Sequence, residues 1–269
     1  MTSLVLFHNT YRSTGPLADA APDLVMLHGW GLHSIVWDDI MPGLLQHFRV
    51  TVVDLPGMGQ SPMPAGDYTL DYLAGHVAAV LPPRCHLMGW SLGGLVALKL
   101  ASERPQQVQS LTLVASTPRF VADAGWPGVD ARLFERFMEV FEEDAEGTLI
   151  RFLALNCKDA STMREDVRKL KDILYFCGLP APRALRGGLA ILRDSDLRAE
   201  LDGLAMPHLL LFGEHDNIVP AATADVLASR HPVRRLAEVS HVPFVSLPDK
   251  FLEALLQGWR EQGVIRENA

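Results

Sequence analysis

Gly89-Trp90-Ser91-Leu92-Gly93 separates a short apolar run, Cys85-His86-Leu87-Met88, from a helix-forming run, Gly94-Leu95-Val96-Ala97-Leu98-Lys99-Leu100. A serine with glycine two residues away on either side fits a tight strand-to-helix turn, where side chains at those positions would strike the neighbouring backbone. Such a turn holds the serine strained, with its hydroxyl presented. It also leaves the next N–H groups at a helix N-terminus, where an anion is favoured. The five residues alone are a short signal; the apolar runs on both sides give them meaning. The plain alternative is a glycine turn that only packs a helix on a sheet.

Apolar runs of strand length recur at Leu24–Leu27, Arg49–Val53, Cys85–Met88, Leu111–Val114, Leu209–Phe212 and Arg235–Val239. Helical patterns such as Gly94–Glu103 and Thr223–Arg230 lie between them. Continuous apolar strands alternating with helices predict an α/β fold, a mostly parallel sheet covered on both faces. Ligands in such sheets bind at the carboxyl ends of the strands, where His28-Gly29, Asp54, Ser91, Ser116 and Gly213 fall. The rhythm breaks between Pro118 and Asp196. That stretch reads as helices at Ala131–Glu143, Thr148–Leu155, Thr162–Tyr175 and Pro182–Leu192. Residues 1–117 and 197–269 are therefore expected to form the core, with 118–196 inserted as a helical cap.

Bulk properties exclude several classes. A net charge of −8 over 269 residues argues against a general nucleic-acid binder. Three cysteines without CxxC spacing argue against a disulfide framework, and Cys85 falls in a predicted buried strand. No run of 18 apolar residues is present, so no membrane span is expected. Met1–His8 lacks the basic and apolar regions of a signal peptide, which makes a cytoplasmic setting the expectation.

A serine hydroxyl needs a base to take its proton, and the base works best when a carboxylate orients it. After a strand-elbow serine the partners come in the order carboxylate, then histidine. The run Leu210-Leu211-Phe212 followed by Gly213-Glu214-His215-Asp216 offers Asp216 as the acid, with Glu214 as its competitor. His241, in the loop Val239-Ser240-His241-Val242 after the last strand, is the candidate base; His215 and His231 are rivals. An oxyanion hole needs two N–H donors. Leu92, following the serine, supplies one, and Trp30 in His28-Gly29-Trp30-Gly31 is placed to supply the other and to turn its ring to the pocket.

With these residues placed, the chain resembles the α/β-hydrolase superfamily through His28-Gly29-Trp30-Gly31, Asp54-Leu55-Pro56-Gly57-Met58-Gly59-Gln60-Ser61, the elbow, Asp216 and His241. Within it the chain is similar to the pimeloyl-[acyl-carrier protein] methyl ester esterases of biotin synthesis. That likeness runs through Trp37, Gly89–Ala97, Trp126-Pro127-Gly128, Arg151–Leu155 and Gly187–Leu192. It implies hydrolysis of a carrier-bound methyl ester without metal or organic cofactor.

Arg151 to Lys171 holds six basic residues against three acidic ones, and Arg164, Arg168 and Lys171 share helical spacing. With Arg151 they form a candidate docking face for an acidic carrier protein; the bland reading is a solvated helix face. Phe120, Trp126 and Phe152, with the Trp30 ring, are candidate walls of an acyl channel. A monomer without nucleic-acid or membrane partners is expected. A generalist esterase, a lactonase or a carbon–carbon bond hydrolase would share the triad. A ligand-binding module without turnover is the reading from another class.

Overall fold

The computed structural model describes residues 4–266. Met1–Ser3, part of the N-terminal stretch read for a signal peptide, lie outside the described residues. Seven strands form one sheet in the order β1-β3-β2-β4-β5-β6-β7. They are β1 (His8–Tyr11), β2 (Asp23–Leu27), β3 (Arg49–Val53), β4 (Cys85–Trp90), β5 (Val108–Val114), β6 (His208–Gly213) and β7 (Val233–Leu236). β1 runs antiparallel to β3 and every other pairing is parallel. All six residues of β4 are buried, as expected for a strand covered on both faces.

The helices are α1 (Met41–Leu44), α2 (Leu70–Ala78), α3 (Leu92–Glu103), α4 (Ala131–Glu143), α5 (Ala145–Asn156), α6 (Met163–Phe176), α7 (Pro182–Asp194), α8 (Arg198–Asp202), α9 (Ala221–Ala228), α10 (Pro243–Ser246) and α11 (Pro248–Glu261). α3 is apolar nearly all round and buried from Leu92 to Leu98, so it sits inside the molecule rather than on its surface. Helices α4 to α7 all lie between β5 and β6. They are tied to the sheet's loops: Ala181 N–H donates to Gly57 O at 2.8 Å and Leu197 N–H to Pro118 O at 2.9 Å. Among the described residues no helix is long and apolar enough to cross a membrane.

Two elements depart from the sequence reading. The last strand spans Val233–Leu236, not Arg235–Val239. Glu238 has φ of 67°, a left-handed conformation that breaks a strand, and the chain turns there toward His241. β1 was not anticipated, because all four of its residues are exposed on an edge and carry no apolar pattern.

Candidate active site

Ser91 links β4 to α3 with φ 53° and ψ −119°, outside the regions ordinary residues favour. A conformation of this kind costs about 1–3 kcal/mol and persists only when its surroundings hold it. Here Ser91 N–H donates to Val114 O at 3.1 Å, while Ser91 O accepts from Gly94 N–H at 2.9 Å and from the Ser116 hydroxyl at 2.8 Å. The flanking glycines are required sterically. A Cβ on Gly89 would strike the Gly93 carbonyl, and one on Gly93 would strike the carbonyls of Leu27 and His28. These are backbone atoms that cannot swing aside.

Asp216 and His241 are brought together from the loops after β6 and β7. Asp216 Oδ1 accepts the N–H groups of Ile218 and Val219, each at 2.8 Å. Its Oδ2 lies 2.8 Å from His241 Nδ1, and neither side chain has any solvent exposure. With Nδ1–H held by the carboxylate, a neutral imidazole keeps its lone pair on Nε2. That atom is buried and has no hydrogen-bond partner, the Ser91 hydroxyl included. Of the sequence rivals, Glu214 and His215 are exposed and His231 lies against Asp202 at 3.0 Å, and none takes part in the pair.

Trp90, immediately before Ser91, reaches His241 from the strand side, its Nε1–H donating to His241 O at 2.9 Å. From the inserted helices, Asn156 O accepts His241 N–H at 3.0 Å. Ser246, just after this loop, donates its hydroxyl at 2.6 Å to Asp166, a buried carboxylate of α6 that also accepts from Thr162. None of these supports was singled out in the sequence, since two of the acceptors are backbone carbonyls that any residue would supply.

The loop after β2 is braced by His28. Its Nδ1–H donates to Gly29 O at 2.8 Å and its Nε2 accepts Leu55 N–H at 2.9 Å, a pattern only a neutral ring can make. Full burial pushes its pKa down to about 4. Trp30 and Leu92 follow this loop and the elbow serine, and among the described residues their backbone N–H groups donate to no protein acceptor.

The Trp30 ring packs edge-on to Phe152 at 4.9 Å, Phe141 at 6.0 Å and Phe137 at 6.2 Å, and its indole N–H donates to Leu185 O at 2.8 Å. Trp30 and Phe152 are thus neighbours. Trp126 is engaged elsewhere, donating to Arg119 O at 2.9 Å with the Arg198 guanidinium 5.4 Å from its ring centre. Phe120 is buried. Phe137 and Phe141 escaped the sequence reading, although Phe134, Phe137, Met138 and Phe141 have the spacing of one helix face.

On α6, Arg164 and Arg168 are exposed and Lys171 half-exposed, without ion-pair partners among the described residues. Arg151 is partly spent on Asp144 at 3.3 Å, and Lys169 pairs with Asp39. Because Asp166 is buried, one of the acids opposing this cluster does not reach the surface. No group of three or more histidine, cysteine, aspartate or glutamate side chains among the described residues could hold a metal ion.

A family model described as the alpha/beta hydrolase fold matches residues 22–246. The chain is 44% identical over 239 residues to a pimeloyl-[acyl-carrier protein] methyl ester esterase from Aeromonas hydrophila, covering 87% of this chain and 94% of that protein. A protein of the same name from Pectobacterium carotovorum is 42% identical, covering 87% and 92%. Among solved structures, an esterase from Exiguobacterium antarcticum superposes with a TM-score of 0.81 at 23% identity, covering 94% of each chain. The family model spans strands β2 to β7, the serine turn and the loops that carry Asp216 and His241, and this chain belongs to the alpha/beta hydrolase fold family.

Proposed function

We propose that the chain is a serine carboxylesterase that removes the methyl ester from a pimeloyl chain carried by acyl-carrier protein, a step of biotin synthesis. The observation that carries the chemistry is the buried Asp216–His241 pair with its open Nε2, set beside the elbow that holds Ser91. Ser91 Oγ attacks the ester carbonyl as His241 Nε2 takes its proton, and Asp216 stabilises the imidazolium that results. Charge growing on the carbonyl oxygen meets the N–H groups of Trp30 and Leu92. Collapse breaks the C–O bond, and His241 returns the proton to departing methanol. A water activated by His241 then attacks the acyl-enzyme, releasing the carboxylate and restoring Ser91. Every step is acid–base or acyl transfer, so the chain's own residues suffice.

The substrate assignment is supported by the likeness to esterases of that name over more than nine-tenths of their length. In this reading residues 118–196 act as a cap over the site. Trp30 and Phe152, in edge-on contact, wall the acyl channel. Arg164, Arg168 and Lys171, together with Arg151 of α5, meet the acidic carrier, and the setting is cytoplasmic. The test is kcat/KM for methyl pimelate on acyl-carrier protein against the same ester unattached, with Ser91→Ala as control. A strong preference for the carrier-bound ester, abolished in the control, is the expected result. Equal rates on both would leave a generalist esterase.

A further inference from the structure

We infer that Trp90 is a positioning residue, whose single indole holds the base His241 in register with both the nucleophile and the oxyanion loop. The inference rests on the reading of His241 as base.

Trp90 closes β4, is 1% exposed, and is bonded through its own peptide to Ser91. Its side chain reaches two other parts of the site. Toward the base, Nε1–H donates to His241 O at 2.9 Å, the ring lies 5.7 Å from the imidazole, and it meets Phe244 edge-on at 5.3 Å. Toward the oxyanion loop it passes under Gly29 so closely that a Cβ there would lie 2.8 Å from its Cε3. Gly29 is the residue before Trp30, so the ring sets how near that N–H donor can come to the serine.

The position of Nε2 depends on where the His241 backbone sits and how its side chain is turned. Asp216 governs the second by holding Nδ1. Trp90 governs the first together with Asn156, one taking the His241 carbonyl and the other its N–H. A buried indole N–H seeks an acceptor, but it does not always find one. Trp37, equally buried and tilted against Phe244 with ring centres 4.3 Å apart, leaves its Nε1 unpartnered. A Trp90 that served only as filling could do the same.

A displacement of about 1 Å in a catalytic group can cost on the order of 100-fold in rate. The experiment compares wild type with Trp90→Phe and with β-(3-benzothienyl)alanine at position 90, which keeps the indole outline and replaces N–H by sulfur. The readouts are kcat and KM on a p-nitrophenyl ester, Tm, and the low-field proton resonance of His241 Nδ1–H.

The expected result is a fall in kcat of about 10- to 100-fold with little change in KM. The His241 resonance should broaden through faster exchange, while Tm of the isostere moves by only about 3 °C. A kcat within twofold of wild type in the isostere, with an unaltered resonance, would overturn the inference. So would a loss that merely tracks the unfolded fraction. Ser91→Ala and His241→Ala run alongside: turnover surviving there refutes the catalytic reading instead, and the resonance still decides whether Trp90 holds His241.

Discussion

Replacing Asp216 by asparagine changes one atom in a fully buried side-chain contact of the site. The carboxylate accepts three N–H groups at 2.8 Å, two from the backbone on Oδ1 and one from His241 on Oδ2. An amide has two ways to sit there. With its NH2 toward Ile218 and Val219, two buried backbone donors lose their acceptor, at about 1–3 kcal/mol each. With its oxygen kept there, the NH2 faces His241 Nδ1. The second arrangement costs less, and it forces the imidazole proton from Nδ1 to Nε2. His241 then presents a donor where the proposed mechanism needs a lone pair facing Ser91. For a triad whose tautomer is reversed in this way the loss in kcat is about 10⁴-fold, or about 5.4 kcal/mol of barrier. KM should change little, since Asp216 lies behind His241, on its Nδ1 side. The assay is steady-state hydrolysis of a p-nitrophenyl ester by Asp216→Asn beside Glu214→Gln, with circular dichroism to verify folding. Glu214 is exposed, so its variant should stay within about twofold of wild type, as surface changes do. A folded Asp216→Asn enzyme retaining a tenth of the activity, or a Glu214→Gln enzyme that loses as much, would refute this assignment.

Acid should weaken the fold before its surface carboxylates titrate. Burial lowers the pKa of both His28 and His86 from 6.5 to about 4, so the folded state resists protons that the unfolded chain accepts. Stability is then complete above pH 6.5 and falls as pH drops toward 4, by about 3 kcal/mol per histidine. Urea midpoints at pH 7 and 4.5 test this, and His86→Gln should flatten the dependence; equal midpoints in the wild type would contradict it. Arg164→Glu with Arg168→Glu should lower kcat/KM on the carrier-bound ester by about tenfold or more at low salt, an effect that shrinks as salt screens it. The free ester should be unaffected, and equal losses on both substrates would remove the docking face.

What the sequence made legible follows from where each residue's constraint comes from. The central strands could be read because burial on both faces turns them into unbroken apolar runs, and β2, β3, β4, β5 and β6 lie at or within a few residues of their expected positions. The exposed edge strand β1 carries no such pattern, and β7 was displaced because Val239 is apolar yet lies beyond the turn at Glu238. Ser91 announces itself because glycines must flank it for steric reasons. Asp216 and His241 could be named from order and loop position, but the rejection of Glu214 needed three dimensions, where exposure separates it from its neighbour two residues on. The supports around His241 were illegible for a physical reason. Trp90 resembles any apolar strand residue until its N–H is seen to have chosen a carbonyl 151 positions away.

The carbonyl of Asn156 that receives the His241 N–H bears on how such an enzyme can diverge. Being main chain, this latch is indifferent to residue identity, so drift at position 156 leaves it intact while a shortened or re-registered α5 breaks it. The inserted helices are therefore not an interchangeable attachment. Grafting a foreign segment between β5 and β6 to alter substrate preference would also withdraw one of the two ties on the His241 backbone, so the chimaera is expected to lose turnover along with its old specificity. New specificities are more accessible through side-chain replacement on an unchanged helical frame than through exchange of the frame itself.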